Sequence, residues 1–298
     1  MVLRPLGVSL AGRDLTRISD LVPAEAEAIL DLAGELKLDS EPLTPRKTLG
    51  LYFTKPSTRT RVSFAVAMTQ LGGAALPLQP HELQLSRGES LADTAHVLSR
   101  YLDAIAIRTF AQAEVDAWAD AASIPVINAL TDEEHPCQAL ADALTIREKL
   151  GGFDGVRVAW LGDGTNVLVS LAALGALLGF DVVAACPPGY EPASAAAFQL
   201  LRDPRDAVAG ADVVVTDTWT SMGQEAERER RLRDLEPYRV DDALLALASP
   251  QAIVMHCLPA HPGEEISPEV LYGPQSVVWD EAENRVHVQK ALLALLFG

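Results

Sequence analysis

Along the chain, short apolar runs alternate with longer segments in which apolar residues recur at helical spacing. Short runs bounded by turn formers read as buried strands; apolar residues three and four apart make one face of a helix. Strands are predicted at residues 49–53, 74–78, 104–107 and 125–128, then at 156–161, 182–185, 213–216 and 252–255. Helices are predicted at 15–38 (with Pro23 marking a fresh start), 62–71, 90–101, 114–122, 137–150, 167–178 and 289–297. Residues 79–90 show no period and read as a mobile loop, and the charge-dense stretch 224–239 as a solvated helix or loop. Strands alternating with helices in both halves call for parallel sheets covered on both faces. Gly151-Gly152-Phe153-Asp154-Gly155 marks a boundary, so the expected fold is α/β with two domains, 1–150 and 151–298.

Composition narrows the picture. A chain of 298 residues that is 49% hydrophobic has material for two cores. A net charge of −17 argues against a nucleic-acid surface, so an anionic ligand has to be drawn in by a local cluster of cations. The three cysteines, Cys137, Cys186 and Cys257, are odd in number and sparse, which fits a reducing compartment without a disulfide framework. The N-terminal stretch has no long apolar core typical of a signal peptide, and no segment reaches membrane-spanning length. A soluble cytoplasmic protein is the expectation.

One stretch concentrates the chemistry. After the strand at 49–53 comes Lys55-Pro56-Ser57-Thr58-Arg59-Thr60-Arg61, then a helix that Gly72-Gly73 stops. Ser57 stands where an N-cap belongs. The first turn of a helix leaves N–H groups unpaired at the positive end of its dipole, so an anion fits there. Hydroxyls from Ser57, Thr58 and Thr60 and guanidiniums from Arg59 and Arg61 add donors that match phosphate oxygens. The plainer alternative is an ordinary capped helix with exposed arginines.

Other polar clusters also follow strands: Arg108, His135 to Gln138, Asn166, Asp217 to Met222, and Cys257-Leu258. Ligands of open α/β sheets bind beyond the carboxyl ends of the strands, so these segments are expected to face one cleft. Gly162-Asp163-Gly164 invites a dinucleotide reading, but the third glycine of that fingerprint is replaced by Val167. A tight strand-to-helix turn is the plainer account. His135 and Gln138 share a loop, and both are able to donate to a carbonyl oxygen that gains charge during acyl transfer. His256, Cys257 and His261 fit no standard zinc spacing, and Cys257 alone reads as a core thiol. Asp217 suits a substrate ammonium group or a helix cap.

Taken together these motifs resemble the aspartate/ornithine carbamoyltransferases. Ser57-Thr58-Arg59-Thr60-Arg61 and His135-Pro136-Cys137-Gln138 resemble the family's two carbamoyl-phosphate motifs. Asp217-Thr218-Trp219-Thr220-Ser221-Met222-Gly223 resembles the ornithine loop, and His256-Cys257-Leu258-Pro259-Ala260-His261 the later signature of the ornithine branch. The resemblance implies two domains, carbamoyl-phosphate-binding (1–150) and ornithine-binding (151–298), with the C-terminal helix packing back on the first. It implies that carbamoyl phosphate and L-ornithine give L-citrulline and phosphate, with no cofactor, in a homo-oligomer built on trimers with sites near subunit contacts. By that likeness Ser57, Thr58, Arg59, Thr60, Gln84, Arg108, His135, Pro136, Cys137, Gln138, Cys257, Leu258 and Arg285 hold carbamoyl phosphate. Asn166, Asp217, Ser221 and Met222 hold ornithine, and Arg108, His135, Cys257 and Asp217 are the catalytic candidates. Thr54, Ala65 and Pro262 depart from the residues common in the family, and the loop around Gln84 matches least well.

Overall fold

The computed structural model describes residues 8–38, 47–192, 198–220 and 225–298. Ser221 and Met222 fall outside them. The chain forms two compact units, Met1–Leu144 with Asn284–Gly298, and Thr145–Glu283.

The first unit holds α1 (Pro23–Leu38), β1 (Thr48–Phe53), α2 (Thr58–Gln70), β2 (Ala74–Leu78), α3 (Leu91–Leu98), β3 (Ala104–Arg108), α4 (Gln112–Ala121), β4 (Val126–Leu130) and most of α5 (Pro136–Leu150). Its sheet is parallel, in the order β2-β1-β3-β4. Tyr52, Ile105, Ile107, Trp118 and Val126 lie in one apolar cluster, with the rings of Tyr52 and Trp118 5.4 Å apart. Residues 15–22 are not part of the first helix: a 3-10 turn, Ile18–Asp20, precedes α1, which starts at Pro23. Residues 79–90 include a 3-10 turn, Gln84–Arg87. Ser90 then caps α3 by accepting from Asp93 N (3.0 Å).

The second unit begins at the end of α5 and holds β5 (Arg157–Leu161), α6 (Asn166–Leu178), β6 (Asp181–Ala185), β7 (Gln199–Leu201), α7 (Pro204–Val208), β8 (Val213–Thr216), α8 (Arg228–Leu235), α9 (Asp242–Leu245), β9 (Ile253–His256), α10 (Pro268–Leu271) and the first turns of α11 (Val278–Phe297). Its sheet is also parallel, in the order β7-β6-β5-β8-β9. The short edge strand β7 is not foreseen by the apolar pattern, because two of its three residues are exposed.

The contact boundary differs from the glycine-rich one. It runs through α5 between Leu144 and Thr145 and through α11 between Glu283 and Asn284, so the last fifteen residues, 284–298, belong with the first unit. There Lys290 Nζ donates to Leu36 O (2.7 Å) and to Gln70 Oε1 (3.0 Å), tying α11 to the ends of α1 and α2. In both sheets the chain first builds to one side of the opening strand and then crosses to the other. The switch lies between β1 and β3 in one unit and between β5 and β8 in the other, the positions where open α/β sheets leave a crevice.

Candidate functional site

In the first unit the polar residues sit beyond β1, β3 and β4. Ser57 is extended (φ −159°), and its hydroxyl accepts from Thr60 N (3.2 Å), which caps α2. Thr58 and Arg59 occupy the exposed first turn, while Thr60 is buried. The two arginines have different surroundings. Arg59 is exposed, whereas the Arg61 guanidinium stacks over Phe53, 5.7 Å from the ring centre, so Arg61 serves packing. Arg108 ends β3 and is 8% exposed. The β3–β4 register slips between Ile107 and Arg108, an irregularity of the kind that re-aims a side chain at a strand end.

α5 starts at Pro136, which has no N–H to leave unpaired. The His135 carbonyl accepts from Gln138 N (3.0 Å) and Ala139 N (3.2 Å). The His135 ring is buried, and burial, together with Arg285 and Arg108, holds its pKa well below the usual histidine value. It is therefore neutral at working pH. Cys137 is a core thiol facing Asn128 O (3.7 Å), and burial pushes it up to about 12. What Cys137 offers an anion is its backbone N–H in the first turn.

Arg285, on α11, joins the two helix starts. Its Nη2 donates to Thr60 Oγ1 (2.8 Å) and its Nη1 to Gln138 Oε1 (2.6 Å). Gln138 Nε2 donates to Asp142 Oδ1 (2.7 Å). Gln138 therefore presents an oxygen toward Arg285, rather than serving simply as the donor the sequence suggests. Gln84 opens its 3-10 turn as an exposed residue, with its carbonyl accepting from Glu89 N (3.1 Å).

Several residues to which the sequence assigns no role position these groups. Lys55 is buried, pairs with Asp132 and lies 4.5 Å from the centre of the Phe110 ring. Thr131 Oγ1 accepts from Glu134 N (3.0 Å) and donates to Gln112 Oε1 (2.9 Å), shaping the loop that leads to His135. Thr54, which departs from the family pattern, bonds Thr109 Oγ1 (2.9 Å).

In the second unit the groups sit beyond β5, β8 and β9, which are neighbours in the sheet. Asp217 follows β8 and is 7% exposed. Its carboxylate accepts from Thr218 N (2.7 Å), Thr165 Oγ1 (3.0 Å) and Cys257 Sγ (2.9 Å). Asn166 is half-buried at the first position of α6. Cys257 is thus partnered to a carboxylate at the end of β9 and is not an isolated core thiol. Leu258 takes a left-handed φ of 56°, and its N–H donates to His256 Nδ1 (2.9 Å). The ring proton of His256 consequently sits on Nε2, facing Glu265 Oε1 (3.1 Å). Asp217, His256 and Cys257 offer ligand atoms within 4.8 Å of one another, but both nitrogens of His256 are occupied in this way. Arg231 pairs with Asp163 and donates to Trp219 O, linking the loops after β5 and β8.

The glycines after β5 serve the chain itself. A Cβ on Gly164 would lie 2.4 Å from Pro192 N, and one on Gly162 2.9 Å from Trp219 Nε1. Those positions are closed by protein where a dinucleotide fold would admit a pyrophosphate.

Comparison with known proteins divides the chain in two as well, with the break between residues 148 and 154. Residues 13–148 match the model of the aspartate/ornithine carbamoyltransferase carbamoyl-P binding domain, and residues 154–296 that of the Asp/Orn binding domain. The chain belongs to the aspartate/ornithine carbamoyltransferase family. Among carbamoyltransferases it is 54% identical to the ornithine carbamoyltransferase of Thermosynechococcus vestitus, over 99% of each chain. It is 52% identical to that of Pyrococcus abyssi, over 98% of each. The structure of ornithine carbamoyltransferase from Pyrococcus furiosus is similar at a TM-score of 0.93 and 51% identity, covering 98% of this chain and 99% of that one.

Proposed function

We propose that the protein transfers the carbamoyl group of carbamoyl phosphate to the δ-amine of L-ornithine, giving L-citrulline and phosphate. The observation that carries this reading is the full-length similarity to ornithine carbamoyltransferases, with the two domain models in order along the chain. The first unit holds carbamoyl phosphate through Ser57, Thr58, Arg59, Thr60, Arg108, His135, Pro136, Cys137, Gln138 and Arg285, with Gln84 as a further contact. Two helix N-termini tied by one guanidinium support that assignment, since each favours an anion. Asn166, Asp217, Ser221 and Met222 hold ornithine, and the backbone of Cys257 and Leu258 meets the carbamoyl group.

In the reaction the lone pair of the δ-nitrogen forms a C–N bond to the carbamoyl carbon. The carbonyl oxygen takes up negative charge, and the C–O bond to phosphate then breaks, phosphate leaving with the bonding pair. The δ-amine has to be neutral to attack: its ammonium proton passes to the Cys257–Asp217 pair, whose carboxylate accepts it, and the proton that the nitrogen sheds on forming the C–N bond leaves with the phosphate. Arg108, Thr60 and the neutral His135 donate to the developing oxyanion, and Arg59 supports the departing phosphate. Holding both reactants in line supplies much of the rate. The protein works in the cytoplasm as a homo-oligomer built on trimers. Exposed Val62, Val66 and Leu76 on α2 and β2 give a self-association surface its apolar material.

A competition assay tests the reaction. Supplied with carbamoyl phosphate and equal ornithine, putrescine and N-acetylornithine, the enzyme forms mainly citrulline, with one phosphate per citrulline. A larger yield of either other carbamoylated amine, or none of any, overturns the assignment.

A further inference from the structure

Gln138 stands at the third position of α5, with Asp142 one turn further on. Its amide lies between two partners of opposite character. Arg285 Nη1 is 2.6 Å from one end and Asp142 Oδ1 is 2.7 Å from the other. A guanidinium only donates, so the atom facing it is the amide oxygen, and the NH2 end is left to the carboxylate. Gln138 and Asp142 are each 1% exposed, so solvent does not offer the amide an alternative orientation. The same guanidinium reaches Thr60 Oγ1 in the first turn of α2 (2.8 Å), which places the Gln138 oxygen beside the two helix N-termini.

A carbonyl oxygen carries two lone pairs, and Arg285 takes one. We propose that Asp142 is a positioning residue: by holding the Gln138 NH2 it keeps the Gln138 oxygen turned to accept from the NH2 of the acyl phosphate, and so makes the site choose a carbamoyl over an acetyl group. This rests on the reading of the first unit as the carbamoyl-phosphate site. Carbamoyl and acetyl phosphate share size, carbonyl and phosphate, and differ in an NH2 against a CH3. A methyl group leaves the acceptor desolvated and unfilled, whereas an amide N–H fills it. Sites built to hydrogen-bond a group reject the analogue that lacks it.

The test measures dissociation constants for carbamoyl phosphate, acetyl phosphate and inorganic phosphate by calorimetry. The protein is compared with Asp142→Leu, which removes the acceptor, and Asp142→Asn, which keeps an acceptor oxygen without the charge. The protein itself is expected to prefer carbamoyl over acetyl phosphate by about 30-fold or more. Asp142→Asn retains that ratio within about threefold. Asp142→Leu loses about tenfold or more of it while binding inorganic phosphate as before. If Asp142→Leu does not fold, Asp142→Ser takes its place under the same criterion, because its shorter side chain does not span to Gln138. An unchanged ratio in the acceptor-less variant overturns the inference. So does an Asn variant that loses as much as Leu, or equal weakening of all three ligands, which marks a merely structural residue. A starting protein that binds carbamoyl phosphate without preferring it to acetyl phosphate also overturns the inference and leaves the proposed reaction standing. A protein that binds neither acyl phosphate overturns the functional reading instead.

Discussion

Beyond the strand ends of the first unit the charge is positive: Arg59 at the start of α2, Arg108 at the end of β3, and Arg285 across two helix N-termini. Beyond those of the second unit the groups are carboxylates, Asp163 and Asp217, with Arg231 paired to the first. Two buried titratable groups record the contrast. His135 is held neutral by burial and two arginines. Asp163 is pushed up to about 6 by burial, against the pull of Arg231 and with a contribution from Asp217. In a chain of net charge −17, the local field beyond the first unit's strand ends favours an anion, and that beyond the second unit's a cation. An acyl phosphate suits the first and an amino acid's ammonium the second.

The largest expected effect of breaking this contrast comes from Arg285→Ala. Losing the tie between Thr60 and Gln138 together with a charge is expected to lower kcat/KM for citrulline formation by about 10³-fold. Steady-state kinetics with carbamoyl phosphate varied check it, and a loss below tenfold removes Arg285 from the site. Asp217→Asn comes next. It keeps the shape but not the charge that faces Thr165, Thr218 N and Cys257, and kcat/KM for ornithine is expected to fall by about 10²-fold. Arg59→Ala follows, expected to raise KM for carbamoyl phosphate by about tenfold with a smaller fall in kcat, since Arg59 is exposed.

The smallest effect is a pH dependence of stability. Between the unfolded value of 3.8 and about 6, folded Asp163 binds a proton that the unfolded chain does not. Its stabilising contribution is therefore fullest below the unfolded value and is lost as pH rises through about 6. The Tm of Asp163→Asn relative to the parent should accordingly shift in the variant's favour by a few degrees between pH 4 and pH 7. His135 works in the opposite sense, because the unfolded chain gains a proton below its ordinary value while the folded ring resists it. A melting series in which Asp163→Asn runs parallel to the parent at every pH removes Asp163 as a source of the difference.

Much of this was legible in the sequence because the relevant physics is local. Apolar runs locate every strand but β7, and capping chemistry places Ser57. The motifs at strand ends pointed to the residues now found beyond β1, β3, β4, β8 and β9. What escaped the reading were side chains whose partners lie far along the chain or on another side chain. Between Val278 and Val288 the buried positions of α11 are Glu281, Asn284, Arg285 and His287, which make no apolar stripe, so the apolar pattern predicts the helix only from residue 289. Glu281 accepts from His256 N (2.8 Å), and Arg285 reaches both helix starts. Asp142, Gln112 and Glu265 look like ordinary polar positions until the groups they orient are seen. The glycine cluster at 151–155 marks a turn, but the boundary of packing lies a turn or two earlier, inside α5, where no residue type announces it.

The division of labour is tested most directly by titrating carbamoyl phosphate, without ornithine, into the parent protein, Arg285→Ala and Asp217→Asn. The expected result is an Asp217→Asn affinity within about threefold of the parent and an Arg285→Ala affinity weaker by about 10²-fold or more. Equal losses in the two variants, or a larger loss in Asp217→Asn, would contradict the assignment of the phosphate to the first unit.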